Sequence, residues 1–199
     1  MSIAPQEMFN RLMSVAKAEL QPLGFKMSGS TARISRDGNT GIINFQRSVY
    51  NSQAIVRFTI NLGIWSRFLQ QFSPHPEPKQ LTETYCHWRE RIGGFMPSGR
   101  DHWWQISAST ESEVLEADIR NLLRSLAVPT IMACLSNEGL WQWCRSGRKM
   151  GSWYELALAR KFSTGSEYDR LVAKARGEVA EQAKPRFLEV LALIEARLP

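Results

Sequence analysis

The chain has 199 residues, 43% of them hydrophobic, which is enough for a sizeable core and too many for a disordered segment. Lys and Arg number 25 against 19 Asp and Glu; the resulting +6 charge, spread along the chain rather than gathered in a stripe, favours anionic partners only mildly. No run is long and apolar enough for a membrane-spanning helix, and three widely spaced cysteines, Cys86, Cys134 and Cys144, argue against a disulfide framework or a zinc ribbon and for reduced thiols in a cytoplasm.

The first element is an amphipathic helix from Pro5 to Leu20. Met8, Phe9, Leu12, Val15, Ala16 and Leu20 recur at helical spacing, and Glu7, Arg11 and Lys17 mark it as no secretion signal. Pro22 and Gly24 end it, and the hydrophobic period then drops to two. Short strands separated by Ser28-Gly29 and Asp37-Gly38-Asn39 turns follow. In "GIINFQRS", Ile43 and Phe45 face one way, Asn44 and Gln46 the other; in "AIVRFTINLGI", Val56, Phe58, Ile60, Leu62 and Ile64 alternate with Arg57, Thr59, Asn61 and Gly63. These two strands are expected to pair through "VYNSQ" with Phe45 opposite Phe58 and Ile43 opposite Ile60. That register sets Asn44 beside Thr59 and Gln46 beside Arg57 on a polar face.

"SPHPEPKQ" is a proline-rich surface loop. "YCHWRERIGG" reads as a short helix or turn with Trp88 and Ile92, and Tyr85 with them, packed inward; Cys86 fits the core and His87 a hydrogen bond near a tryptophan. "MPSGRD" is a turn, and "HWWQIS" a last strand. The remainder is helical. A capping box at Thr110 and Glu113 opens a helix carrying Leu115, Ile119, Leu122, Leu123 and Leu126; Pro129 suits the first turn of the next, which ends near Gly139. Further helices are expected over Leu140–Arg145, Trp153–Phe162, Glu167–Gln182 and Arg186–Leu198. The expected architecture is α+β: an antiparallel sheet of about four to five strands packed on helices, with a helical C-terminal region. Residues 1–126 form the α+β domain, and 127–199 a helical extension packed on it.

"LGFKMSGSTARI", "GIINFQRSVYNSQAIVRFTINLGI", "CHWRERIG" and "MPSGRDHWW" occur in that order. This series resembles domain-of-unknown-function family 4304, a bacterial group, over Phe9 to Ser125. The resemblance implies an α+β domain and carries over no catalytic residue.

The residues themselves offer no complete chemistry. Adjacent Cys86 and His87 diverge in a strand or a helix, and no HxH, HxxxH or CxxC spacing accompanies them, so no metal site is assigned. Cys86, His102 and Asp101 form a thiol–imidazole–carboxylate set only on paper, since Asp101 and His102 are chain neighbours. The glycine-bearing stretches match no phosphate loop, and no cofactor is implied.

What remains is a surface. Trp103 and Trp104 are adjacent, so one faces the core and the other joins the polar side. The candidate binding residues are Asn44, Gln46, Arg57, Thr59, Asn61, His87, Arg91, Arg100, Asp101, Trp103 and Trp104. They point to a non-enzymatic protein that recognises another protein. The alternative is nucleic-acid association through Trp141, Trp143, Arg145, Arg148 and Lys149, where aromatics are mixed with basic residues. A third reading, an enzyme with a site near Asp101 and His102, requires a pocket around those side chains. Oligomeric state is not legible.

Overall fold

A computed structural model describes residues 4–198. Helix α1 (Pro5–Leu20) is followed by strands β1 (Lys26–Ser28), β2 (Thr31–Arg36), β3 (Asn39–Arg47) and β4 (Val56–Ser66). A short helix α2 (Arg67–Gln70) and a long loop lead to β5 (Trp88–Arg91) and β6 (Trp104–Ile106). Helices α3 (Ser112–Leu122), α4 (Val128–Cys134), α5 (Asn137–Arg145), α6 (Ser152–Phe162), α7 (Gly165–Glu178) and α8 (Lys184–Arg197) complete the chain. The fold is therefore α+β, as expected, with a six-stranded antiparallel sheet in the order β1-β2-β3-β4-β5. Strand β6 also pairs with β4. Strands β5 and β6 divide one edge of β4, opposite Asn61–Ile64 and Val56–Phe58 respectively.

One face of the sheet is apolar because β3 and β4 alternate. Phe45, Ile43, Phe58, Ile60 and Leu62 are fully buried there. Helix α1 lays Met8, Phe9, Leu12, Ala16 and Leu20 over that face, and the Phe9 ring meets Phe58 edge-on at 5.4 Å. Helix α3 adds Leu115 and Ile119 beside it. Glu19 of α1 takes a bidentate pair from Arg124 at 2.7 and 2.8 Å, which ties the first helix to the end of the α3 run.

The β3–β4 register differs from the expected one by two residues. Phe45 lies opposite Ile60, Ile43 opposite Leu62, Asn44 opposite Asn61 and Gln46 opposite Thr59. A shift of two leaves every side chain on its expected face, so alternation is blind to it. The connecting loop decides. Asn51 folds back on Arg57, accepting from its backbone N–H at 2.7 Å and donating to its carbonyl at 3.1 Å, while Ser48 N–H donates to the same carbonyl at 2.9 Å.

Other local expectations are corrected. "HWRERI" is a strand, not a helix: β5 completes the edge of β4, and tertiary pairing overrides local preference. Tyr85 is exposed, whereas Trp88 and Ile92 are buried as expected. The Thr110–Glu113 capping box does not form; Thr110 Oγ1 instead accepts from Ser107 N–H at 2.9 Å in the preceding turn, and Glu111 stands at the helix cap. Pro129 stands in the first turn of α4, as expected, but α4 continues the α3 run without a break. Leu123–Ala127 widen into a π turn between α3 and α4, a form that accommodates a residue without an N–H. Gly139 lies inside the first turn of α5, where Ser136 caps it by accepting from Gly139 N–H at 2.9 Å.

Helices α4 to α8 share the core with the sheet. Ile131 of α4 packs where Gly41 lacks a side chain, and Trp143 of α5 meets Trp88 edge-on at 5.2 Å. Polar ties run the same way: Asn39 donates to the Leu135 carbonyl at 3.1 Å, and Ser66 donates to Asn137 Oδ1 at 2.7 Å. Among the described residues no helix is long and apolar enough to cross a membrane.

Candidate functional site

The second face of the sheet has two halves. At one end the loop after α2 covers it. Arg33 donates twice to the Leu81 carbonyl, at 2.9 and 3.1 Å, and Cys86 lies directly over Gly63, where an added Cβ would stand 2.7 Å from Sγ. The other half is open, and most of the expected binding residues meet there.

Its floor is a ladder of amides. Asn44 donates to Thr31 Oγ1 at 2.8 Å; Asn61 donates to Gln46 Oε1 at 2.9 Å and to Asn44 Oδ1 at 3.3 Å. Thr59 is buried and donates to the His102 carbonyl at 2.8 Å, fixing the approach to β6. Arg57 pairs not with Gln46, as expected, but with Gln105 of β6, donating from Nε to Oε1 at 2.9 Å.

A second cluster forms the wall. Asp101 Oδ2 accepts from Arg91 Nη1 at 2.5 Å and from Trp103 Nε1 at 2.9 Å. The Arg91 guanidinium lies 5.3 Å from the Trp103 ring centre, in cation–π contact. Between this wall and the β3–β4 loop is a cleft of about 560 Å³, lined by Gln46, Arg47, Ser48, Val49, Tyr50, Arg57, Arg91, Trp103 and Gln105. That volume lies within the range of small-ligand and side-chain pockets. A neighbouring hollow of about 370 Å³ shares Gln46 and Arg91 and adds Asn61, Glu83, Thr84, Arg89 and Glu90.

Four expected site residues are elsewhere. Trp104 faces the core, 7% exposed, stacked on Phe58 at 5.3 Å with Nε1 donating to Asp118 at 2.9 Å. It is the inward member of the tryptophan pair, and Trp103 the outward one. His87 has the parity of the polar face but lies at its far end, buried between Trp65 and Tyr154. Its Nδ1 accepts from Ser66 N–H at 2.9 Å, and burial lowers its pKa to about 4. Arg100 sits in an exposed turn outside the cleft lining. His102 supplies a backbone carbonyl to Thr59, and its ring packs edge-on against Trp104 at 4.3 Å.

This geometry disposes of the thiol set. Asp101 is held by Arg91 and Trp103 rather than by His102. Burial, with Glu83 adding to it, pushes the Cys86 thiol far up, away from the thiolate a nucleophile needs. Neither of the two hollows described above is lined by Asp101 or His102. Among the described residues no group of three or more His, Cys, Asp and Glu side chains is arranged around a metal position.

In the aromatic–basic cluster the two tryptophans pack inward while part of the basic set stays at the surface. Trp141 is 4% exposed, and Trp143 sits among Trp88, Phe95 and Arg148, the guanidinium 5.3 Å from its ring centre. Arg148 pairs with Glu90 at 3.2 Å and Arg145 approaches Glu167 at 3.7 Å, while Lys149 stays exposed. Trp141 is therefore buried, and the half-buried Trp143 ring is engaged by Trp88, Phe95 and Arg148.

Sequence reasoning missed Arg47, Gln105 and the Val49–Tyr50 pair. Gln105 was legible as the polar neighbour of Trp104 in a strand. Two apolar residues in a hairpin loop were also a signal: Val49 and Tyr50 are each 89% exposed. Arg47 was not legible, since its strand parity assigns it to the core side; it ends β3 with its guanidinium 5.5 Å from the Phe9 ring centre.

The site is thus a polar, arginine-bearing sheet face beside an exposed loop that carries Val49 and Tyr50. Residues 16–133, more than half of the chain, match the domain of unknown function DUF4304. The chain belongs to that family. No curated protein and no solved structure matches it.

Proposed function

We propose that this chain is a non-enzymatic binding protein that recognises another protein through the open half of its sheet face. The observation that carries the reading is the pairing of a pre-ordered polar floor with exposed apolar side chains. The amides of Asn44, Gln46 and Asn61 are already fixed by mutual hydrogen bonds, and Val49 and Tyr50 stand beside them almost fully in solvent. Fixed polar groups lose little entropy on binding, and an exposed tyrosine supplies contact area with a polar tip. Three free cysteines fit work in a reducing bacterial cytoplasm.

A photo-crosslinking residue at position 50 tests this in lysate of the source cells, with position 114 on α3 as control, since Val114 is also exposed. A discrete protein adduct from position 50 that is absent from position 114, and lost when Trp103→Ala and Arg57→Ala are combined, is the expected result. Equal adducts from both positions, or none from position 50, overturn the reading.

A further inference from the structure

We propose that the cleft between the β3–β4 loop and Trp103 is a carboxylate-reading subsite that takes an acidic segment of the protein partner. The inference rests on the reading above and specifies its chemistry. Arg47, Arg57 and Arg91 line this cleft, and no carboxylate residue does. Only Arg91 has an acidic partner nearby, Asp101. Among the described residues neither Arg47 nor Arg57 forms an ion pair, so the positive charge at this end of the sheet is uncompensated, with Arg57 on the cleft side and the Arg47 guanidinium beside Phe9.

The support of Arg57 leaves its charged end available. Gln105 occupies Arg57 through Nε, which leaves the two Nη nitrogens without a protein partner among the described residues. That end is a fork matching the two oxygens of a carboxylate. The Arg47 guanidinium lies 5.5 Å from the Phe9 ring centre, where it adds positive charge at the rim of the cleft. Asp101 does not compete for this position, because its Oδ2 already accepts from both Arg91 and Trp103. The double bond instead fixes the Trp103 ring as the wall of the cleft. Tyr50 and Val49 on the opposite side offer apolar contact to whatever separates the acidic groups. Clustered arginines that read acidic motifs work in this way: charge supplies attraction, and the fork supplies orientation.

The adjoining hollow sets a limit on how far the acidic stretch extends. Glu83 and Glu90 line it together with Arg89 and Arg91, so its charge is mixed. Acidic side chains are therefore favoured at the Arg47–Arg57 end alone, and amide or hydroxyl groups beyond Gln46 toward Asn61.

The test is fluorescence anisotropy at low salt with three labelled probes: an eight-residue peptide alternating glutamate and tyrosine, its glutamine–tyrosine counterpart, and an eight-nucleotide oligothymidylate. The expected result is binding of the glutamate peptide to the native protein and at least about tenfold weaker binding to a protein carrying Arg47→Gln and Arg57→Gln. Arg57→Lys restores part of the loss, Arg186→Gln on α8 changes nothing, and the glutamine peptide does not bind. Unchanged urea midpoints show that the variants remain folded. The inference is overturned if the glutamate peptide fails to bind, if the double variant binds it as well as the native protein, or if oligothymidylate binds through these arginines and the peptide does not. A position-50 adduct that survives Arg47→Gln and Arg57→Gln overturns the carboxylate subsite while leaving the protein-binding reading standing.

Discussion

His87 shows how one buried side chain ties chemistry to stability. Nδ1 accepts from the Ser66 N–H, so the neutral ring carries its proton on Nε2, a buried atom with no hydrogen-bond partner among the described residues. Protonation would turn Nδ1 into a donor facing a donor, and burial opposes the charge as well. The folded pKa accordingly falls from 6.5 to about 4. Above pH 6.5 the ring is neutral in both states and stability does not depend on it. As pH falls from 6.5 toward 4 the unfolded chain takes up the proton and the folded one does not, so stability is lost across that window, on the order of 3 kcal/mol in all. Urea midpoints measured from pH 7 to pH 4 are expected to show this slope in the native protein and to lack it in His87→Asn, whose carboxamide oxygen keeps an acceptor near Ser66. Equal slopes in both proteins would remove His87 as the cause. The tryptophan pair carries a related lesson at this scale. Adjacency required Trp103 and Trp104 to face opposite ways, but only the neighbouring groups, Asp101 for one and Phe58 with Asp118 for the other, decided which was which.

Among the elements, α4 and α5 approach closely where Gly139 meets the end of α4. An added Cβ at Gly139 would stand 2.0 Å from the Ala133 carbonyl oxygen. Inside an ordinary helix, replacing glycine by alanine adds stability, by roughly 1 kcal/mol. Here the sign reverses, because the contact is with backbone that cannot rotate away. Gly139→Ala is expected to cost roughly 1–3 kcal/mol, read as a lower urea midpoint; a raised midpoint would contradict the close approach. The sequence placed Gly139 at the end of a helix, since glycine is common there, whereas the chain uses it to let one helix start against another. The same limit explains the β3–β4 register. Alternation defined the two faces of Ile43–Phe45 and Val56–Ile64, while Asn51 bonded to Arg57 selected one of two pairings that alternation treats alike. Consequently the sequence reached the amide ladder but not its partners, and it missed that Arg57 reaches sideways to β6.

Over the whole molecule, the division between the family-matched region and the later helices meets a shared core. Residues 126 and 127 fall within one unbroken helical run, from α3 through the π turn to α4. Buried side chains from α1, the sheet and α4 to α8 join in a single cluster. Arg148 reaches back to Glu90 on β5, and Trp143 covers Trp88. A protein ending at residue 133 would leave Trp88 without Trp143 and Ser66 without Asn137. The full chain is expected to unfold in one transition that coincides by tryptophan fluorescence and circular dichroism, and the 1–133 fragment to lose cooperative unfolding. Two separate transitions in the full chain would instead mark the helices as an independent unit.

By itself the sequence determined whatever depends on local periodicity: helix α1, the faces of β3 and β4, the late helices, the α+β class, and membership of the polar face for Asn44, Gln46, Arg57, Thr59 and Asn61. Those features follow from side-chain spacing of 2 and 3.6 residues, which is written along the chain. Only the tertiary structure decided which groups meet. Strand β5 exists because β4 offered it an edge, Arg47 joins Arg57 because the end of β3 folds beside a cleft, and His87 is buried because Tyr154 arrives from a helix far along the chain. Each of these depends on contacts between residues distant in sequence, whose energy no local pattern records.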